Sequence, residues 1–191
     1  MRQLILWSVL AGLAFVLPAM AEDEPAPKPE PETYSKAEIV QEIERFFGKG
    51  AKGLGEVIEK TFREHGEPNA YIAGNEFSAA LGVGVRYGKG TLKTKSGYSR
   101  KLYWQGPSVG FDAGGNVSKV FILVYNLPAV ADIFQRFPGV EGSLFFVGGV
   151  GVNYLQSGKT VLAPIRFGAG WRQGVNVGYM DFTPEMSINP F

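Results

Sequence analysis

The chain has 191 residues, with 19 Lys and Arg against 18 Asp and Glu, and it contains no Cys and a single His. Without Cys it can form no disulfide, no zinc–thiolate cluster and no Cys nucleophile, and one His cannot build a multi-His metal site. We therefore expect no metal or other cofactor, and the length suits one folded domain with a substantial core.

Residues 1–21 have the three parts of a secretory signal peptide. Arg2 gives the positive start, Leu4–Leu17 is an uncharged apolar run, and Ala19-Met20-Ala21 follows the helix-breaking Pro18 with the small-x-small pattern of a cleavage site. The run of 14 residues is shorter than the roughly 20 that cross a bilayer. We predict cleavage after Ala21, no transmembrane anchor after cleavage, and a location outside the cytoplasm, where no nucleic-acid partner is expected.

The segment Glu22–Glu32 alternates Pro with acidic residues. Because Pro cannot donate a backbone hydrogen bond and like charges repel, we predict that this segment is an extended, solvated tether, with a docking role as the alternative. Folded structure is expected to begin near Thr33.

Residues 33–66 are predicted to form two amphipathic helices. Ser35 and Glu38 have the spacing of a capping box, and apolar residues follow at helical intervals up to Phe47. A second helix is predicted from Leu54 to about Glu64, with Gly66 as its stop and His65 near its end, where a partial positive charge is favourable. We expect both helices to cover part of a sheet.

Residues 67–191 are predicted to be β-structure, since 20 of the 26 Gly fall after Tyr71 and helix signals are few. The predicted strands are Ala70–Ala73, Phe77–Tyr87, Thr91–Lys95, Leu102–Gln105, Val109–Asp112, Lys119–Leu127, Gly142–Leu155, Val161–Ala169 and Val175–Phe182. The predicted turns are Gly88-Lys89-Gly90, Gly97, Gly106-Pro107, Gly114-Gly115-Asn116 and Ser157-Gly158, and a short helix is predicted at Val130–Phe137.

Glycine-rich strands favour a small closed antiparallel β-barrel. The phrase Gly-Val-Gly-Val occurs at Gly82–Val85 and at Gly149–Val152, and Gly weakens a strand unless tight bending or close backbone approach requires it. Lys119–Leu127 is apolar on both faces, so the N-terminal helices are expected to cover its outside. The predicted fold class is all-β with minor α.

Basic and aromatic residues on one predicted hairpin form a candidate contact surface for an anionic envelope glycan or lipid, or for an envelope protein. The stretch from Arg86 to Lys101 contains no acidic residue. The candidate residues are Arg86, Lys89, Lys93, Lys95, Arg100, Lys101, Tyr103 and Trp104. The alternatives are a solvated edge whose lysines prevent strand pairing, and aromatic residues that belong to the core.

The motifs of common enzyme classes are missing. The spacing around Gly82, Gly84 and Gly88 differs from a dinucleotide fingerprint, and no helix follows it. Carboxylates such as Asp112 and Glu141 lie in no recognisable glycosidase motif. We assign no catalytic, cofactor-binding or metal-binding residue.

Several phrases resemble the EipA-like periplasmic envelope-integrity family. They are Tyr87–Thr91, Tyr103–Asp112, Val124–Pro128, Phe137–Ser143, Leu162–Arg166 and Asn189–Phe191, and the resemblance covers residues 67–191. It implies a soluble periplasmic protein with an eight-stranded barrel that serves envelope stress resistance in Gram-negative bacteria, with no known enzymatic activity and no established ligand residues. One of the nine predicted strands would then be a miscount.

The leading hypothesis is a non-enzymatic periplasmic protein that supports envelope integrity by binding a polymer, lipid or protein. A small outer-membrane β-barrel and a lipid-carrying barrel are the alternatives. Membrane strands need about 9–11 residues, and most predicted strands are shorter. An enzyme acting on envelope glycans or lipids has only scattered carboxylates in its favour.

Overall fold

A computed structural model of the chain describes residues 32–48, 53–167 and 178–187, with no side-chain description at 79–83 and 108–116. The predicted signal peptide and nearly all of the predicted tether lie outside these ranges. The described elements are helices α1 (Lys36–Phe47) and α2 (Leu54–His65), strands β1 (Ala70–Thr94) and β2 (Ser99–Tyr125), a 3-10 helix (Val130–Ile133), and strands β3 (Arg136–Pro138), β4 (Phe145–Val147), β5 (Val150–Val152), β6 (Leu155–Ser157), β7 (Thr160–Phe167) and β8 (Tyr179–Thr183).

The two helices begin and end where the sequence predicts. Ser35 caps α1 by accepting from the backbone N–H of Glu38, whose carboxylate in turn accepts from the backbone N–H of Ser35. Gly66 follows the last residue of α2 with a positive φ of 74°. No described helix is both long enough and apolar enough to span a bilayer.

Strands β1 and β2 form one long antiparallel ribbon that runs from the pair Ala70–Val124 to the pair Lys93–Ser99. The prediction of three separate strands on each side is therefore wrong, although the turn at Gly97 is present. The predicted turns at Gly88–Gly90, Gly106-Pro107 and Gly114–Asn116 lie inside strands. The glycines at these positions are therefore required for a reason other than a turn.

The ribbon folds across itself where glycines allow close contact. A Cβ on Gly74 would lie 2.3 Å from the carbonyl oxygen of Lys89, and a Cβ on Gly88 would lie 1.9 Å from the indole of Trp104. Both positions therefore exclude any side chain. Local sequence cannot separate this use of glycine from its use in turns.

The shorter strands extend the ribbon into an eight-stranded antiparallel sheet within the described residues. The order is β3-β8-β2-β7-β5-β4, with β1 on β2 and β6 on β7. The predicted strand Gly142–Leu155 is wrong because Gly148 and Gly149, both at positive φ, turn the chain between β4 and β5. The predicted helix Val130–Phe137 is limited to one 3-10 turn, since Arg136–Pro138 pairs with β8 instead. The end of the predicted strand Val161–Ala169 after residue 167, and the start of the predicted strand Val175–Phe182 before residue 178, lie outside the described residues.

The sheet curls strongly, and an isolated antiparallel bridge joins Gly139, next to β3, to Leu155 in β6. The antiparallel, curled sheet with two helices is confirmed. Complete closure into a barrel of about eight strands stays a prediction.

Two apolar clusters lie on opposite faces of β2. The inner cluster includes Val120, Ile122 and Val124, and the outer one joins Phe121, Leu123 and Tyr125 to the buried faces of α1 and α2. Every residue from Val120 to Tyr125 is at most 1% exposed. The expectation that the helices cover the outside of this doubly apolar strand is correct, because burial of both faces requires a partner on each.

Candidate functional site

The structure separates the residues of the predicted contact surface. Lys89, Lys93, Arg100 and Lys101 are exposed, and Tyr103 is half-buried. Arg100 lies over the ring of Phe134, and Lys95 forms an ion pair with Glu38 of α1. Arg86 and Trp104 are 8% and 1% exposed, so they lie in the interior and not on a surface. Their side chains point inward because they alternate along the ribbon with the outward-facing Lys89 and Tyr103.

A cleft of about 550 Å³ lies beside the place where the ribbon of β1 and β2 folds across itself. One wall consists of two cross-strand pairs, Tyr87 with Gln105 and Lys89 with Tyr103. Paired residues of antiparallel strands project from the same face, so their side chains form one continuous surface. The other residues that line the cleft are Asn75, Glu76, Phe77, Gly88, Trp104, Val117, Thr183, Met186 and Ser187.

The rim of the cleft is apolar and exposed to solvent. Phe77, Val117 and Met186 are 43%, 68% and 73% exposed, and all three line this one cleft. Phe77 and Val117 are direct cross-strand partners, while Met186 follows β8, which pairs with β2 at Tyr103–Gln105. Large exposed apolar side chains that converge on one concavity are typical of a ligand or partner surface.

Charged groups lie buried directly behind the cleft. The Glu76 carboxylate accepts from Nε and Nη2 of Arg166 at 3.0 and 3.1 Å and from Nε1 of Trp104 at 2.9 Å. Nη1 of Arg166 donates to Oδ1 of Asn153 at 3.1 Å. Glu76 and Arg166 are 4% and 0% exposed, so this two-pronged pair is withdrawn from water.

The buried pair keeps Glu76 ionised. Burial acts to raise the pKa of its carboxyl, but the charges of Arg166 and Arg86, with the hydrogen bonds from Arg166 and Trp104, outweigh burial and hold the pKa below its usual value. With its oxygens accepting from these donors, Glu76 serves as a structural counter-ion at the base of the cleft.

Gln105 offers an unused hydrogen-bonding group to the cleft. This residue is 6% exposed, and among the described residues its side-chain carbonyl oxygen has no hydrogen-bond partner. A buried amide without a partner is costly, so a ligand hydroxyl or N–H that reached it would bind favourably. Together, the apolar rim, Gln105 and the exposed Lys89 suit a ligand with an apolar part and a polar part.

Metal binding has no candidate cluster in the described ranges, where no three His, Asp or Glu side chains are grouped for it. His65, the last residue of α2, contacts the rings of Tyr125 and Tyr154 at centroid distances of 5.3 and 4.4 Å. It lies in the helix-covered cluster, apart from the residues that line the cleft.

Sequence reasoning found Lys89, Tyr103 and Trp104 but missed the apolar rim and the Glu76–Arg166 pair. Glu76, like Asp112 and Glu141, lies in no recognisable motif, so local sequence gives it no role. One signal was available, because a buried indole N–H needs an acceptor and Glu76 could supply it. The pairing with Arg166, 90 residues away, had no local signal.

Comparison with known proteins gives a family and a fold. The model of the family described as envelope integrity protein A matches residues 32–191. A crystal structure of a β-barrel-like, uncharacterized protein from Brucella abortus is 45% identical, with a TM-score of 0.75, and the match covers 83% of this chain and 99% of that one. The curated proteins contain no match. Since the family model spans most of the chain, this protein belongs to the envelope integrity protein A (EipA) family.

Proposed function

We propose that this protein is a non-enzymatic periplasmic barrel that supports envelope integrity and stress resistance by binding the apolar part of an envelope lipid in its cleft. The observation that carries the proposal is the convergence of Phe77, Val117 and Met186, all exposed, on one cleft of about 550 Å³. The family supplies the envelope role, and the bridge between Gly139 and Leu155 supports a closed barrel.

A lipid explains the cleft better than a polymer does. Burial of the three exposed apolar side chains of the rim against a ligand stabilises the complex by about 25 cal/mol for each Å² removed from water. A glycan would satisfy Gln105 but leave Val117 and Met186 in contact with polar hydroxyls. An acyl chain against the rim, with a hydroxyl or amide donor at Gln105 and an anionic group near Lys89, uses the apolar rim, the unpartnered amide oxygen and the exposed charge of the cleft together.

The test is the binding of cis-parinaric acid, a fluorescent fatty acid, to the full mature chain. We expect saturable fluorescence enhancement by the wild type and at least a tenfold rise in Kd for Phe77→Ser combined with Val117→Ser. Tyr98→Ser is the matched control, because Tyr98 is 49% exposed at the hairpin turn and lies outside the cleft. Equal binding by all three proteins would show that the fatty acid does not bind in the cleft.

Fractionation tests the cellular location. We expect osmotic shock to release the protein with soluble periplasmic contents, since α1 and α2 cover the outer face of β2 that a membrane barrel would present to lipid. Retention in membranes until detergent is added would favour the outer-membrane alternative.

A further inference from the structure

The two halves of β1 lie side by side. A Cβ on Gly90 would lie 2.8 Å from the carbonyl oxygen of Ala73, and the backbone N–H of Lys95 donates to the carbonyl oxygen of Asn69 at 3.1 Å. The part of β1 that follows the cleft-lining Lys89 is therefore held against the start of the same strand. As a result, the hairpin end of the ribbon is continuous with the surface around the cleft.

Three lysines of the ribbon project from one face of this surface, and we call them the lysine face: Lys89, Lys93 and Lys101. The first two lie on either side of Thr91 in β1, and Lys101 is the cross-strand partner of Thr91. Alternate residues of a strand, and directly paired residues of neighbouring strands, point to the same side. Nζ of Lys93 lies 5.9 Å from the ring centroid of Tyr71, a residue of the helix-covered cluster, so this side is the outer face of the sheet.

The lysine face carries positive charge without a neutralising carboxylate. Its three lysines are exposed and form no ion pair with another described residue, whereas the neighbouring Lys95 pairs with Glu38. The acid that lines the cleft, Glu76, is buried and forms an ion pair with Arg166. The exposed Glu185, next in sequence to the rim, reduces the positive charge of this region but does not cancel it. The lysine face is therefore available to an anionic partner outside the protein.

Exposed apolar side chains lie next to the lysine face. The rim residues Phe77, Val117 and Met186 line the same cleft as Lys89. Protruding apolar side chains beside lysines suit the interface of an anionic bilayer, where the rim can enter the boundary between headgroups and acyl chains while the ammonium groups reach phosphates. An anionic polysaccharide would neutralise the lysines but leave the rim in water. The combination therefore favours a membrane surface over a polymer.

We propose that the lysine face and the rim together dock on a bilayer that contains anionic phospholipids, with the mouth of the cleft against the headgroups. The inference rests on the proposed function, because a lipid with a long acyl chain is poorly soluble in water and has to reach the cleft from a membrane. Each lysine near an anionic surface strengthens binding about fivefold, and the attraction is screened beyond about 8 Å at physiological salt. Docking through three lysines is therefore reversible, which is compatible with the expected release by osmotic shock.

Co-sedimentation of the full mature protein with lipid vesicles tests the docking. Vesicles of equal parts phosphatidylglycerol and phosphatidylcholine are compared with vesicles of phosphatidylcholine alone at low salt. We expect at least tenfold stronger partitioning to the anionic vesicles, and loss of this preference when NaCl is added. Equal partitioning to both kinds of vesicle, or no partitioning to either, would overturn the proposal.

Charge-matched variants locate the docking surface. Replacing all three residues of the lysine face by Gln should weaken partitioning to anionic vesicles at least tenfold. The control removes three exposed charges elsewhere, in Arg45→Gln, Arg63→Gln and Lys159→Gln combined, and should change partitioning less than twofold. Both variants change only exposed side chains, so both should fold. If they lose affinity equally, overall charge alone attracts the protein and the proposal fails.

A fluorescent label shows which surface meets the bilayer. Because the chain contains no Cys, a single introduced Cys can carry the environment-sensitive dye NBD at one known position. The dye on Val117→Cys should brighten and shift to shorter wavelength with anionic vesicles. The dye on Phe146→Cys, an exposed apolar position outside the cleft, should stay unchanged. Equal changes at both positions, or a change at Phe146→Cys alone, would overturn the proposed orientation.

The outcomes separate this inference from the function on which it rests. Binding of cis-parinaric acid by a protein that does not partition to anionic vesicles would leave lipid binding in the cleft standing and refute the docking surface. Partitioning that depends on the lysine face, without binding of the fatty acid, would support the docking surface and refute the proposed function.

Discussion

One face of β2 has two regions that differ within a few residues. Leu123 and Phe121 are buried under the helices, Lys119 donates to the carbonyl oxygen of Phe46 at the end of α1, and Val117 is 68% exposed. These alternate residues project from the same face. The apolar surface thus continues past the point where its helical cover ends, and the uncovered part is the rim of the cleft.

The two regions are also stabilised differently. Under the helices, the contacts are apolar and aromatic, as in the stacked rings of Tyr71 and Phe121 with centroids 4.9 Å apart. Behind the cleft, the contacts are a buried ion pair and its hydrogen bonds. Apolar packing fills space without specifying a ligand, whereas fixed charges beside a cleft give it chemical selectivity. Substitutions in the helix-covered region and in the region behind the cleft test this difference.

Arg166→Met should give the largest loss of stability, about 3–5 kcal/mol, because it removes the cation that forms two hydrogen bonds with the buried Glu76 carboxylate. Equilibrium unfolding in urea measures the change. Adding Glu76→Gln to the same protein should recover part of the loss, since the buried carboxylate is then neutral, while Arg86 loses the attraction of Glu76. A double variant no more stable than the single one would show that the pair does not govern this region.

Ile43→Ala should destabilise the helix-covered region by about 2–4 kcal/mol, since Ile43 is fully buried between α1 and the sheet. The matched control is Gln41→Ala, an exposed position on the same helix, which should stay within about 0.5 kcal/mol of wild type. Equal losses for both in urea unfolding would mean that α1 is not packed as described.

His65 should make the helix-covered region sensitive to acid. Burial lowers the pKa of its imidazole, with Glu64 opposing the shift and Lys60 adding to it. The unfolded chain therefore binds the proton more readily, so stability should fall as pH drops below about 6.5 toward the folded pKa. The measurement is the free energy of unfolding between pH 7.5 and 5. The same slope in His65→Gln would assign it to another group.

Val117→Ser should have the smallest effect on stability, within about 0.5 kcal/mol in urea unfolding, because two thirds of this side chain is already in water. The same change at the buried Val124 should cost more than 2 kcal/mol. A large loss at Val117 would indicate that the rim is packed against something in the folded protein and is not open.

Much of the fold could be predicted from local sequence. Capping at Ser35, the amphipathic helices and the doubly apolar strand are visible because each depends on residues close in the chain. Strand boundaries were missed because Gly88 and Gly106 make room for Trp104 and for the backbone of Tyr179. Those neighbours come from a register that local sequence does not contain.

The site was harder to predict, for the same reason. Lys89 and Tyr103 come from one hairpin, and hairpin partners are easily inferred. Phe77, Val117 and Met186 meet only because β1 pairs with one side of β2 and β8 pairs with the other. Arg86 was expected at the surface because basic residues surround it in sequence, yet alternation along the strand turns it inward.

The long ribbon also bears on how the chain finds its structure. Its register starts with Lys93 opposite Ser99 beside the turn and ends with Ala70 opposite Val124, so it can assemble outward through a series of small loop closures. The pairing of β2 with β7, from Val120–Arg166 to Tyr125–Val161, joins distant residues and gains little until the ribbon exists. The turn around Gly97 should therefore influence the folding rate, while β7 and the helices that pack beside it should chiefly determine how slowly the finished protein unfolds.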